Sequence, residues 1–320
     1  AINMGLIHTD ATTLTKVQGS AVGIQPKCYD NGYWYKKNVY GCEDQSEHLA
    51  SLVLMHSNIT NYVFYTTCTI DDVPGCVSRN FLLDNESFLS FHRLHELVRG
   101  GVSLDNIIRT YNTCAERINY IKEFLYDTLE YDCSEYLSQI LSLDALLLNP
   151  DRHFNNLGVI INNQTGKCRT APIFDNGAAL LSNYRDYLCD IPFEEHIQHV
   201  TAQPFSSNFI EQAEEVGIGL QLDYNGLYTK LLFEPHSRAL DVLYYQLEQM
   251  KYFAILRYVD TTVAEVDFST GSYHVVYAPD ERIKKLFQGE CLEAVAECCI
   301  NDLVVPEEQD NVRRIWKTEM

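Results

Sequence analysis

Apolar positions alternate in short runs up to about residue 83 and recur at helical spacing beyond it, so the pattern predicts a β-rich first part and a mainly helical second part. Residues 4–7 and 33–37 read as strands, the second reached through a two-glycine loop at 18–27 and the Asp30-Asn31-Gly32 turn. Residues 44–57 place Leu49, Leu52, Val53 and His56 on one helical face. Residues 61–70 and 75–83, rich in β-branched and aromatic side chains, read as two further strands around a turn at 71–74. A polar linker at 84–87 follows, and the lobe boundary is expected there. From 88 to 148 the spacing is helical; Asp132 to Glu135 resembles the start of the last helix and Asn149-Pro150 its end. Residues 157–161 and 167–174 form a hairpin about an Asn- and Gly-rich turn. An irregular stretch to 208 precedes helices at 209–215, 227–233 and 237–258, a strand at 273–277, a helix at 280–302 and a charged, exposed end at 306–320.

Charge narrows the partners. With 44 acidic against 24 basic residues the formal charge is −20, a field that repels nucleic acid and anionic membrane surfaces. Eleven cysteines with no C-x-x-C pair are most simply reduced thiols, and no basic segment leads into a long apolar one at the start, so a cytoplasmic protein is expected. His92-x-x-His95 and His196-x-x-His199 have metal-ligand spacing, but no further ligands accompany them, so zinc is not expected.

The chemistry concentrates in Leu148-Asn149-Pro150-Asp151-Arg152-His153-Phe154-Asn155-Asn156 and in Phe174-Asp175-Asn176-Gly177. Phosphoryl transfer needs a carboxylate to orient or deprotonate the attacking hydroxyl, and amide and carboxylate oxygens to hold Mg²⁺ against the phosphates. Asp151 suits the first role. Asn156 and Asp175, one at each open end of the hairpin, suit the second.

These two segments resemble the catalytic and metal-binding loops of the bacterial HipA-like serine/threonine protein kinases, above all the compact CtkA type. They are also similar to the Asp-Arg-His-x-x-Asn and Asp-Phe-Gly loops of phosphoinositide kinases, although here Asp175-Asn176-Gly177 keeps the aspartate and not the phenylalanine. The resemblance implies a two-lobed, α+β, protein-kinase-like fold: residues 1–86 as a small β-rich lobe, residues 87–320 as a larger helical lobe, and ATP with Mg²⁺ between them. It implies that Gly23, Gln25 and Lys27 belong to the ATP loop, with Ser20 as an autophosphorylation site. Lys36 then contacts the phosphates and pairs with Glu47, Lys37 being the rival lysine, and the backbone from Arg79 to Phe81 meets the adenine edge. Asp151 is the base or the orienting group, His153 the competing base, and Arg152 organises the loop or stabilises transferred charge. The implied partners are a protein substrate and a small partner or antitoxin protein. A lipid kinase, an ATP-binding pseudokinase and a helical binding protein are the alternatives.

Overall fold

The computed structural model describes residues 26–260, 263–267 and 272–277. Ser20, Gly23 and Gln25, the expected strand at 4–7, the helix at 280–302 and the charged end at 306–320 lie outside the described residues. The chain divides into two compact units, Ala1–Gln246 and Leu247–Met320.

The first unit opens with β1 (Lys27–Asp30) and β2 (Tyr33–Lys37), joined by a two-residue turn. Asn31 and Gly32 both have positive φ there (48° and 85°), the type I′ geometry that suits the right-handed twist of a hairpin. Then come α1 (Glu43–Met55), β3 (Tyr65–Ile70) and β4 (Val73–Arg79). The strands make an antiparallel sheet in the order β1-β2-β4-β3, and α1 packs its buried Leu49, Leu52 and Val53 across β3 and β4.

Several expected boundaries move, some for tertiary and some for local reasons. The strand expected at 61–70 begins only at Tyr65, because residues 61–63 bond instead to the stretch before Asp175: Val63 N donates to Ile173 O (2.9 Å) and Ile173 N to Asn61 O (2.9 Å). The strand expected at 75–83 ends at Arg79, where the Asn80 side chain folds onto Leu82 O (3.2 Å) and ends the ladder. Residues 88–90, expected as helix, belong to β5 (Glu86–Ser90). The helix begins one residue later, at α2 (Phe91–Val98), where the Ser90 hydroxyl caps Arg93 N.

The helical part continues through α3 (Leu104–Ile108), α4 (Cys114–Leu129) and α5 (Ser134–Leu147). Apolar nearly all round, α5 is the axis of the core: Leu137, Ile140, Leu141, Leu143 and Leu147 are fully buried. It ends on Leu148 in the left-handed region (φ 53°), which turns the chain sharply into Asn149-Pro150-Asp151. Next come β6 (Gly158–Asn162) and β7 (Cys168–Thr170), which join β5 in a three-stranded sheet ordered β5-β6-β7. The return strand was expected to run to 174 but stops at Thr170, two residues before Pro172, which has no N–H for a ladder. The short α6 (Phe193–Ile197), then α7 (Phe209–Val216), α8 (Tyr224–Leu231) and the start of α9 (Arg238–Asp260) complete the unit.

In the second unit α9 ends, and β8 (Val263–Asp267) pairs antiparallel with β9 (Ser272–Tyr277). Among the described residues no helix is long and apolar enough to cross a membrane.

Candidate active site

Strand alternation separates the two adjacent lysines of β2. Lys36 is buried, and its Nζ lies 2.6 Å from Glu47 Oε1 on α1 and 2.6 Å from Asp175 Oδ1, beneath the face of Tyr65 (4.9 Å to the ring centre). Lys37 points the other way, to Asp71 (2.5 Å). Burial opposes charge on Lys36, but Asp175 and Glu47 outweigh it and hold the ammonium well above its ordinary pKa. At Asp175 the balance is equally one-sided: burial favours the neutral acid, yet Lys36 and then Lys27 hold the carboxyl well below the usual range. Glu47 is pushed up by burial, against Lys36.

These shifts give an acid-side prediction. A carboxyl held low in the folded state contributes stability at pH values above its ordinary pKa of about 3.9, and loses that contribution as pH falls through the folded value. Melting temperature should therefore decline below about pH 4, and Asp175→Asn should show a shallower decline than the parent. Parallel slopes in the two proteins would remove Asp175 as a source of the acid sensitivity.

The loop at 149–156 hangs from the end of α5. Asp151 N donates to Asn149 Oδ1 (3.1 Å), leaving the Asp151 side chain 57 % exposed, with His153 Nε2 3.9 Å from its carboxylate. Partial desolvation, reinforced by the negative charge of Asp175, raises Asp151 in spite of His153, Arg152 and Lys27. Arg152 behaves differently from its neighbours. It is fully buried, pairs with both oxygens of Asp144 on α5 (Nε to Oδ2 2.9 Å, Nη2 to Oδ1 2.9 Å), and donates to Phe174 O (2.7 Å) and Asn176 Oδ1 (2.6 Å). Of the two roles open to Arg152, organising the loop fits this placement; a guanidinium sealed from solvent and spent on four internal acceptors does not reach a transferring group.

Asn156 is 1 % exposed and donates through Nδ2 to Asp151 O (3.3 Å), while its Oδ1 is buried without a hydrogen-bond partner. A buried amide oxygen without a donor costs free energy unless something electropositive reaches it. That orphan oxygen, with the ionised Asp175, suits a hard divalent cation that takes oxygen ligands. Among the described residues no three His, Cys, Asp or Glu side chains gather into a metal cage.

Beside these groups lies a cavity of about 90 Å³. Lys27, Lys36 and Asp175 form its charged end; Val63, Tyr65, Phe81 and Phe174 are among its apolar walls, and the Arg79–Leu82 chain closes one side. Phe81, Phe88 and Phe174 pack together with ring centres 5.4–6.1 Å apart. Of the sequence-derived candidates, Lys27, Lys36, Arg79, Phe81 and Asp175 therefore line one cavity, and Glu47 stands behind Lys36. The sequence reading missed Asp144, whose signal was an acid in an otherwise apolar helix, and Tyr65, which had none beyond its strand.

No family model and no curated protein matches this sequence. Among solved structures, the chain is similar to the crystal structure of the Helicobacter pylori proinflammatory kinase CtkA, with a TM-score of 0.52 at 15% sequence identity, over 78% of this chain and 94% of that one. The mixed architecture, a small antiparallel sheet with its helix set before a helical part, is a kinase-like fold.

Proposed function

We propose that this chain is an ATP- and Mg²⁺-dependent phosphotransferase of the HipA/CtkA serine/threonine protein kinase kind. The observation that carries the proposal is the joining of Lys36 to both Glu47 and Asp175 at the charged end of an apolar cavity. The cavity takes the base among its aromatic walls, and Lys36, assisted by Lys27, meets the phosphates. Asn156 Oδ1 and Asp175 would hold Mg²⁺, which when bound offsets charge on the β- and γ-phosphates. Asp151, exposed and raised, orients the acceptor hydroxyl and takes its proton as the oxygen bonds to the γ-phosphorus and ADP leaves, with His153 beside it as the alternative proton acceptor. The acceptor is a protein hydroxyl, since the charge of −20 disfavours an anionic lipid surface.

The test incubates the protein with Mg²⁺ and γ-labelled ATP, alone, with a generic protein and with phosphoinositide vesicles, beside Asp175→Ala. Protein label that vanishes in the variant is the expected result. Lipid label moves the assignment to a lipid kinase, a Mg²⁺-dependent thermal shift without label makes the chain a nucleotide-binding module, and the absence of both label and shift overturns the proposal.

Asn156→Ala should raise the Mg²⁺ concentration for half-maximal transfer by at least about tenfold, since losing even an outer-shell partner of a metal typically costs about 10- to 100-fold. An unchanged Mg²⁺ titration would show that the orphan oxygen serves another purpose.

A further inference from the structure

Asn176 stands where the Asp-Phe-Gly loop of the phosphoinositide kinases has its phenylalanine, and its surroundings are polar. It is 1 % exposed. Its N–H donates to Glu47 Oε2 (2.9 Å), its carbonyl accepts from the Ser46 hydroxyl (2.7 Å), and its Oδ1 accepts from Arg152 Nη2 (2.6 Å). One residue thus touches α1 twice and the 149–156 loop once, beside Asp175. The clasp extends along the chain: Ser46 Oγ also reaches Ala179 O (2.9 Å), Cys42 N donates to Ser182 O (3.1 Å), and Tyr184 N to Tyr40 O (3.0 Å). The backbones approach so closely at Gly41 that a Cβ there would sit 2.0 Å from Ser182 O, so only glycine fits.

We propose that Asn176 is a positioning residue that ties α1, the 149–156 loop and the segment from Asp175 to Ser182 into one unit, so that Lys36, Glu47 and Asp175 stand assembled before nucleotide arrives. This rests on the phosphotransferase proposal for its consequence in catalysis, though the lock itself is a property of the ligand-free chain. An amide oxygen held by a buried guanidinium has no equivalent partner elsewhere, and moving it breaks a charge-assisted hydrogen bond together with the main-chain bonds on either side.

The test is residue-resolved amide hydrogen exchange on the ligand-free full chain, with α4 as an internal reference, followed by a Mg²⁺ titration of phosphoryl transfer. Asn176→Leu keeps the branched outline, with somewhat more bulk, and removes the acceptor; Asn176→Asp keeps an acceptor for Arg152. In Asn176→Leu, exchange from Asn176 to Ser182 should quicken about tenfold or more with α4 unchanged, matching loss of a hydrogen bond to a charged group. The same variant should lose kcat about 10- to 100-fold, with KM for ATP within about threefold and a higher Mg²⁺ requirement, and Asn176→Asp should recover most of each. Parent-like exchange and Mg²⁺ response in Asn176→Leu would overturn the proposal. Should that variant fail to fold, Ser46→Ala loosens the same joint from the α1 side: faster exchange over the same residues supports the lock, and unchanged exchange overturns it. A parent that transfers no phosphate would sink the activity assignment and leave the exchange result to decide the lock. An active parent whose Asn176→Leu variant behaves identically would sink the lock alone.

Discussion

Alanine at Asp175 is expected to lower phosphoryl transfer by at least about a thousandfold while leaving a folded protein. In the proposed mechanism the loss has two sources: Mg²⁺ would lose its carboxylate ligand, and Lys36 loses the Asp175 carboxylate, 2.6 Å away, that helps to fix it in the cavity wall. Folding survives because Lys36 keeps Glu47 at 2.6 Å, so no buried ammonium is left without a counter-charge. Asp151→Ala makes the sharper comparison. Its side chain is more than half exposed, so the melting temperature should hardly move, whereas transfer should fall by about 10²- to 10⁴-fold if this carboxylate orients or deprotonates the acceptor. Steady-state kinetics beside thermal melts decide both. A fall of less than tenfold in Asp151→Ala, with His153→Ala strongly impaired, would transfer the proton-accepting role to the histidine.

Arg152→Met is expected to act in the opposite way, on stability first. Removing the guanidinium leaves Asp144 fully buried without a counter-charge and strips donors from Phe174 O and Asn176 Oδ1. Breaking a buried pair by removing one partner costs about 3–5 kcal/mol. In a unit of this size each kcal/mol moves the melting temperature by about 2–4 °C, so a drop of about 6–20 °C is expected. The double variant Asp144→Leu/Arg152→Met should recover much of it, because an apolar pair of similar volume avoids desolvating two ions. If instead Arg152→Met melts with the parent but loses transfer, the arginine acts on the reacting groups and the organising role assigned to it is wrong.

The contrast between Asp151 and Arg152, adjacent in sequence and opposite in burial, marks where sequence reading stops. Local chemistry sufficed wherever the determining interactions are close along the chain. The Asn31-Gly32 turn, the β6–β7 hairpin with Asn162 Oδ1 capping Gln164 N and Thr165 N, and the abrupt end of α5 before Asp151 all follow from residues within a few positions of one another. Order and spacing likewise put Asp151 just past the end of α5 and Asn156 just before β6, whereas Asp175 lies five residues beyond β7 and is carried to the cavity by the bonds between Ile173 and residues 61–63.

Other features were settled only when distant parts of the chain met. Lys36 and Lys37 are indistinguishable in composition, and the choice between them rests on a partner 139 residues away. Residues 61–63 carry a strand composition yet bond to Ile173, since pairing propensity states a preference for extended backbone and not for a particular neighbour. Arg152 reads as a loop cation until Asp144, Phe174 and Asn176 surround it. Thus the sequence by itself determined the order of the described elements and the turns, set by short-range backbone and side-chain preferences, and it singled out Asp151 and Asp175 as the candidate carboxylates. Only the tertiary structure decided which charges are paired, which are sealed away and which face the cavity, because burial and long-range contact set the electrostatic environment of each group.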